Sequence, residues 1–418
     1  MSHTTEPARS TTPRRRVRRI ALVAGALTLV APAAVSTDAS EQPPGLVATT
    51  PERYWDSRTL FTGDKNPPGG KIGVTTDEIA FDALGIDPVD PIPDDAEALF
   101  VNVTAVEAEA PGFVSVVTGA NERLDLEFVP DTSNLNVDTP GQTIANSAII
   151  PVGNVDYGEE FGEIPTVIVH SSMDTHILVD VLGYVPAGAD YTSIPLERVL
   201  DTRAAGGAGA EERFDVDVIG SVGPAGATLA IVNLTLVGSA SGGFVTAWPA
   251  GDDKPGTSNL NVDGVGQTRA GLAIVPIGAG GRITVESSTA GDLLVDVLGY
   301  FGAQSGFNGL EPADRVLDTR PLGRVGADST ERVAVTAGSA VPDTADFVLV
   351  NVTAVGASAP GFVSVWPGGG DQPDASNLNY PGGGTIANTV LVPLGDDGSL
   401  DVYTSAEIDL LVDVIGWL

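Results

Sequence analysis

Three polar motifs recur along this chain, and each places side chains capable of chemistry within an otherwise apolar pattern. The first has an aspartate two residues before an arginine, as in Asp201 and Arg203. The second is Ser-Asn-Leu-Asn, and the third is a single aspartate within a run of leucine and valine, as in Asp296. Carboxylates could bind a cation, guanidinium groups could bind an anion, and asparagine amides could bind sugar hydroxyls.

The aspartate of the third motif requires a partner. Because side chains alternate along a strand, Leu294, Asp296 and Leu298 share one face, and both faces are otherwise apolar. An unpaired charge buried there would be very costly. The arginine that ends the first motif recurs in every copy, so we expect a structural ion pair between the first and last strand of each copy. The expected pairs are Arg58–Asp180, Arg203–Asp296 and Arg320–Asp413.

The asparagines and two tryptophans are the candidate ligand-binding residues. Two asparagines of one copy face the same side of their strand and repeat in the next, and Trp248 and Trp366 each precede a proline at matching places. An exposed tryptophan beside amides would form a platform for a sugar. The alternative, which we favour, is that the amides close turns and the rings pack inside. The asparagines are Asn259, Asn261, Asn377 and Asn379.

Catalytic chemistry has little support. The chain has no cysteine and three histidines, of which only His170 and His176 lie beyond the N-terminal segment, so copies two and three cannot hold a Ser-His-Asp set. We expect no enzyme and no resident cofactor. The alternative is a hydrolase that uses loop carboxylates near those histidines. A Ca²⁺ site could form from acidic residues without EF-hand spacing, namely Asp87, Asp90, Asp94 and Asp95.

The motifs occur in the same order three times, which defines three modules. Arg198-Val-Leu-Asp-Thr-Arg203 returns at 315–320 and, more weakly, at 53–58. Ser-Asn-Leu-Asn lies at 133–136, 258–261 and 376–379, and Leu-Val-Asp-Val begins at 178, 294 and 411. We place module one at 51–188, module two at 195–302 and module three at 310–418. Module one alone carries insertions, near 59–95, 121–129 and 157–161, where any special function would lie.

The modules are predicted to be all-β. Module two shows about eight short segments rich in Val, Ile, Leu and Thr, bounded by Gly, Pro, Asp or Ser. This pattern predicts three tandem antiparallel β-sandwiches resembling jelly rolls. A small closed barrel, or a propeller built from all three modules, is the alternative. A short helix is expected near 77–84.

The N-terminus is predicted to be a signal peptide, residues 1–36, followed by a linker over 37–50. Five arginines at 14–19 precede an apolar run from Ile20 to Val30, and small residues follow. The run is short for a membrane span. We favour Sec export over a twin-arginine route and over a retained anchor. The mature chain is therefore expected outside the cell, without a membrane span.

The chain is strongly acidic, with a formal net charge of −34 and only three lysines. Such a surface repels nucleic acid and anionic lipid. Glycine and proline are abundant, at 51 and 30 residues, which suits many strands joined by turns.

With these motifs, the chain resembles repeats of secreted and envelope-associated actinobacterial proteins, which open on Arg-Val-Leu-Asp-Thr-Arg and end on Leu-Val-Asp-Val-x-Gly-Tyr-Phe. The resemblance covers nearly the whole mature chain but implies no chemistry. We expect a non-catalytic secreted protein with a structural or recognition role at the cell envelope, with cell-wall or extracellular glycan as the partner.

Overall fold

The structure, a computed structural model, describes residues 44–58, 70–72, 79–82, 92–93, 95–120, 130, 132–156, 162–220 and 223–418. The predicted signal peptide and most of each inserted loop of module one lie outside these residues, as do Asp87, Asp90 and Asp94 of the predicted Ca²⁺ site. Apart from a 3₁₀ turn at Arg203–Ala205, the regular secondary structure among them is antiparallel strand, so the all-β prediction is confirmed.

Module two has the eight strands expected from its sequence. β-Branched and leucine residues fill them, and glycine, proline or polar residues bound them. The strands are β10 (Tyr191–Asp201), β11 (Arg213–Asp217), β12 (Ala227–Val237), β13 (Gly243–Pro249), β14 (Leu260–Val262), β15 (Arg269–Pro276), β16 (Arg282–Ser287) and β17 (Asp292–Gly302).

Modules one and three repeat this plan. Module one has β1 (Val47–Asp56), β2 (Ile79–Asp82), β3 (Ala98–Val106), β4 (Gly112–Thr118), β5 (Leu135–Val137), β6 (Ile144–Pro151), β7 (Gly153–Asp156), β8 (Glu163–Ser171) and β9 (His176–Val185). Module three has β18 (Asn308–Asp318), β19 (Ser329–Ala334), β20 (Phe347–Ala357), β21 (Gly361–Pro367), β22 (Leu378–Tyr380), β23 (Gly383–Pro393), β24 (Ser399–Thr404) and β25 (Asp409–Trp417).

Each module contributes two small antiparallel sheets between which the chain alternates. In module two one sheet has the order β10-β17-β12-β15 and the other β11-β16-β13-β14. The orders in module three are β18-β25-β20-β23 and β19-β24-β21-β22. Module one has β1-β9-β3-β6 and β2-β8-β4-β5, with β7 added beside β8. The strand that carries the third motif is thus interior to its sheet, as its two apolar faces predict.

The six sheets take a propeller-like arrangement in which the modules pack against one another. The corresponding strands β6, β15 and β23 contact each other at the centre. One face of β12 packs inside module two through Val232 and Leu234, whereas the opposite face, with Leu229 and Ile231, joins a core shared with modules one and three. This second burial explains why both faces are apolar. The modules are therefore not a series of separate domains.

Several boundaries differ from those expected. The predicted linker includes residues that are packed, since Leu46 is buried and β1 begins at Val47. First strands also begin before the expected starts of modules two and three, at Tyr191 and Asn308. The expected helix near 77–84 is wrong over 79–82, where β2 pairs with β8. In the described part of the chain, no helix has the length and apolarity needed to cross a membrane.

Candidate functional site

The aspartate of the third motif is ion-paired in all three modules, but with a different arginine from the one expected. Arg198 places Nε 2.8 Å from Oδ1 and Nη2 3.1 Å from Oδ2 of Asp296. Arg315 binds Asp413 in the same way at 2.7 and 3.0 Å. Arg53 likewise contacts both carboxylate oxygens of Asp180. These two-point contacts tie the first strand of each module to the last.

Strand register explains why the expected partners Arg58, Arg203 and Arg320 were wrong. Arg198 lies directly opposite Asp296 in the β10–β17 ladder, so the two side chains share a face. Arg203 lies beyond the end of β10 at Asp201. The arginine that opens Arg198-Val-Leu-Asp-Thr-Arg203 recurs in all three modules just as the closing arginine does. Only the strand register shows which of the two meets the aspartate.

The closing arginine of this sequence instead pairs locally with the aspartate two residues before it. Arg203 donates from Nε to Asp201 at 2.9 Å, and its backbone N–H donates to the same carboxylate at 3.0 Å. Arg58 with Asp56 and Arg320 with Asp318 repeat the arrangement. These arginine side chains are about half exposed, at 46 to 50%. The two arginines of Arg198-Val-Leu-Asp-Thr-Arg203 thus take part in one buried and one surface ion pair.

The two kinds of pair shift carboxyl pKa values in opposite directions. Burial raises the pKa of Asp180 to about 6, against the opposing effect of its hydrogen bond from Arg53. Burial also raises the pKa of Asp296. At the surface, hydrogen bonds from Arg203 lower the pKa of Asp201 to about 2. Asp180 and Asp296 therefore hold their charge against burial, while Asp201 is stabilised as an anion.

The asparagines of Ser-Asn-Leu-Asn serve the fold within each module. The side-chain oxygen of Asn259 accepts the backbone N–H of Ala247 at 2.8 Å, and that of Asn377 accepts the N–H of Val365 at 2.7 Å. Asn261 and Asn379 each accept a hydrogen bond of 3.1 Å from the serine of their own motif. The structural interpretation of these residues is thus the better one.

The two tryptophans do not form a surface platform. Trp248 is 1% and Trp366 is 4% exposed. Their indole N–H groups donate to the carbonyls of Asp252 at 3.1 Å and Gly370 at 3.0 Å, each four residues ahead. Both rings therefore pack inside and hold the following turn, so the sugar platform is wrong and the favoured alternative, rings packed inside, is confirmed.

The two histidines of module one have structural neighbours. The His170 ring lies 5.9 Å from that of Phe113, and burial lowers its pKa. Nδ1 of His176 lies 3.2 Å from the hydroxyl of Ser57. That hydroxyl accepts the N–H of Ile177 at 2.9 Å, just as Thr202 accepts that of Leu293 at 2.8 Å in module two. Among the described residues, no group of three or more His, Asp or Glu side chains could hold a metal ion.

A polar contact that the sequence did not reveal joins the modules. Asn233 of module two donates to the Ser133 carbonyl of module one at 2.9 Å, and Asn351 of module three donates to the Ser258 carbonyl of module two at 2.7 Å. Asn102 of module one donates to the Ser376 carbonyl of module three at 2.6 Å. Each module thus contacts the next in a closed cycle.

These asparagines lie within Asn-x-Thr sequences that match the glycosylation acceptor. Each of them lies inside a strand and is at most 3% exposed. Asn233 also lies directly opposite Asp296, so arginine, aspartate and asparagine form one polar row across β10, β17 and β12. The signal that could have revealed this contact is the recurrence of asparagine in an otherwise apolar strand.

The three contacts between modules, here called seams, differ in their charged groups. At the seam of modules one and two, Asp138 accepts the N–H of Thr268 at 2.8 Å and pairs with the guanidinium of Arg269. At the seam of modules two and three, Asp263 accepts the N–H of Thr385, and Ile386 occupies the sequence position that Arg269 has in module two. The third seam has Pro381 at the aspartate position.

A cleft of about 550 Å³ opens at the seam of modules two and three. Module two contributes residues from β13 to the end of β14, and module three contributes the outer face of the sheet that contains β18, β20 and β25. Its lining includes Phe244, Asn261, Asp263, Arg315 and Arg320. Of the predicted ligand-binding asparagines, Asn261 lies here. The volume of the cleft is that of an ordinary small-ligand site.

Comparisons with known proteins give little guidance. A scan against protein-family models finds no match, and a search of curated proteins finds none. Among solved structures, 89% of the chain aligns with 90% of one described as "The Triple Jelly Roll Fold and Turret Assembly in an Archaeal Virus", at 9% sequence identity and a TM-score of 0.18. A likeness this weak carries no argument.

Proposed function

We propose that the protein is a secreted, non-catalytic scaffold of the cell envelope with a structural or recognition role toward extracellular glycan. The observation that carries the proposal is the use of the repeated polar residues. In each module the buried arginine–aspartate pair and the asparagine at the seam stabilise the fold and join the modules. The repeated residues thus build a rigid body rather than a reaction centre.

The proposed location rests on the N-terminal sequence and on surface charge. Residues 1–36 have the order of a signal peptide, and the rest of the chain is acidic and free of cysteine. A secreted protein without disulfides needs a large core, and the core shared between modules supplies one.

We further propose that each module is a jelly-roll β-sandwich. Numbered within modules two and three, strands one, eight, three and six form one sheet, and strands two, seven, four and five form the other; module one has the same order once its extra strand β7 is left out. This alternation between sheets is the connectivity of two Greek keys, whereas a propeller blade is a single sheet of successive strands.

The proposal is tested with the mature chain and insoluble cell-wall material. We expect the protein to sediment with the wall, with or without Ca²⁺, and to release no soluble sugar from it. If the protein remains in the supernatant under all conditions, the proposed recognition role is contradicted. Release of reducing sugar would favour instead the hydrolase alternative, with loop carboxylates of module one near His170 or His176.

A further inference from the structure

We propose that the cleft at the seam of modules two and three is the recognition site and that it binds a neutral glycan. The inference rests on the proposed recognition role and identifies the site and ligand class. The cleft combines donors, acceptors and one aromatic ring, which are the groups that bind the hydroxyls and the apolar face of a sugar.

The charged groups of the cleft are held in place before any ligand arrives. Two-point contacts fix Arg315 on Asp413 and Arg320 on Asp318. Across the cleft, Asp263 accepts the backbone N–H of Thr385. Groups whose rotamers are already fixed lose little entropy on binding, which favours a specific site.

Gly384 allows this close approach of module three to Asp263. Its φ is +61°, and a Cβ there would lie 2.5 Å from the carboxyl group. A side chain at this position would be strained and would displace the carboxylate.

The charge balance of the cleft favours a neutral ligand over an anion. Each guanidinium is already matched by a carboxylate, and Asp263 adds a further acid whose pKa is raised by burial. The chain as a whole carries a formal charge of −34, so it repels anions at a distance. Paired arginine and aspartate groups can still donate to and accept from hydroxyls without a change in net charge.

The aromatic surface is supplied by Phe244, which lines the cleft and is half-buried. Lys254 lies over its ring at 5.1 Å from the centroid and also pairs with Glu286 at 2.5 Å. These contacts hold the ring at the cleft wall.

The repeat supplies matched controls. Arg203 makes the same local pair as Arg320, with the same 50% side-chain exposure, but is not part of this lining. Phe362 corresponds to Phe244 in module three and is likewise outside it. Equal stability losses are therefore expected for R203Q and R320Q, whereas ligand affinity should fall in R320Q only. F362A, whose ring packs on Tyr403 rather than under Lys254, controls for the loss of a half-buried ring outside the cleft.

The experiment is calorimetric titration of the mature chain with neutral oligosaccharides (a cello-, a malto- and a chito-oligomer) and with an oligogalacturonate of matched length. We expect one site per chain for a neutral oligomer and an affinity that is unchanged between 50 and 500 mM NaCl. R320Q should lower the affinity at least about fivefold and F244A at least about tenfold, with R203Q and F362A within about twofold of the unchanged protein.

Tighter binding of the galacturonate, or equal losses in the matched variants, would overturn the cleft proposal. If wall binding persists while all four cleft and control variants bind as the unchanged protein, the cleft proposal fails and the recognition role survives. If neither the wall nor any oligomer is bound, both fail.

Discussion

Asn351 of module three donates a hydrogen bond of 2.7 Å to the backbone carbonyl of Ser258 in module two. The same contact runs from module two to module one and from module one to module three. The repeated sequence therefore forms a closed cycle. In it, the serine carbonyl of each Ser-Asn-Leu-Asn motif accepts a hydrogen bond from a strand asparagine of the neighbouring module. The modules depend on one another for burial as well as for hydrogen bonds, since one hydrophobic core includes residues from all three.

Removal of the seam amide should destabilise the protein. N351A deletes the donor to the Ser258 carbonyl at a buried site, so we expect a loss of about 1 to 3 kcal/mol in the free energy of unfolding. Urea denaturation followed by circular dichroism measures it. The control is N308A, at an exposed asparagine whose amide donates to Gly306 at 2.7 Å, with an expected change within about 0.5 kcal/mol. Equal effects would contradict a role for the seam.

The two arginines of one motif should differ in importance. R198M leaves Asp296 buried without its main partner, for which we expect a loss of about 3 to 5 kcal/mol. R203M removes a surface pair only, with an expected loss of at most about 1 kcal/mol. Thermal unfolding of both variants at neutral pH gives the comparison. A larger loss in R203M would instead support Arg203 as the partner of Asp296, as predicted from the sequence.

Stability should respond to pH through Asp180 in an unusual direction. Because burial raises its pKa to about 6, the folded state holds the proton more tightly than the unfolded chain between about pH 4 and 6. The stability of the protein relative to D180N should therefore fall as pH rises through this window, by at most roughly 1 kcal/mol per pH unit. Paired urea titrations measure the difference.

D201N serves as the control for the pH series. The pKa of Asp201 is lowered to about 2, so its contribution is present above the unfolded value and lost only as pH falls toward 2. The stability difference from D201N should be flat between pH 4.5 and 7. A parallel slope in both series would show that Asp180 does not titrate as its burial implies.

Trp248 should matter for stability and not for ligand binding. W248F loses the indole N–H that donates to the Asp252 carbonyl and leaves a small cavity, with an expected cost of about 1 to 3 kcal/mol. Affinity for wall material should stay within about twofold. A stable W248F variant that no longer binds wall material would instead support the sugar-stacking role predicted from the sequence.

The strands were predictable from sequence because their signals are local. Val, Ile and Leu runs closed by Gly, Pro and Asp mark all eight strands of module two, from β10 to β17. The two apolar faces around Asp296 correctly predicted an interior strand with an ion-paired aspartate. What they did not reveal was that the outer face is covered by the other modules.

The partners of repeated side chains were less predictable because they depend on register and on contacts between modules. Arg198 and Arg203 lie five residues apart with the same chemistry, and the register of β10 against β17 decides which one meets Asp296. Asn351 reaches a carbonyl 93 residues away in another module. Neither partner can be read from local composition, although the recurring asparagine in an apolar strand marks a position that needs one.

Small-angle X-ray scattering of residues 37–418 tests most directly whether the three modules close into one body. Modules packed about a common centre predict a radius of gyration near that of a compact chain of this length, about 21 Å. Three separate domains in series would instead give roughly 30 Å or more, with an elongated distance distribution. The first result supports the closed cycle of Asn233, Asn351 and Asn102, and the second would contradict it.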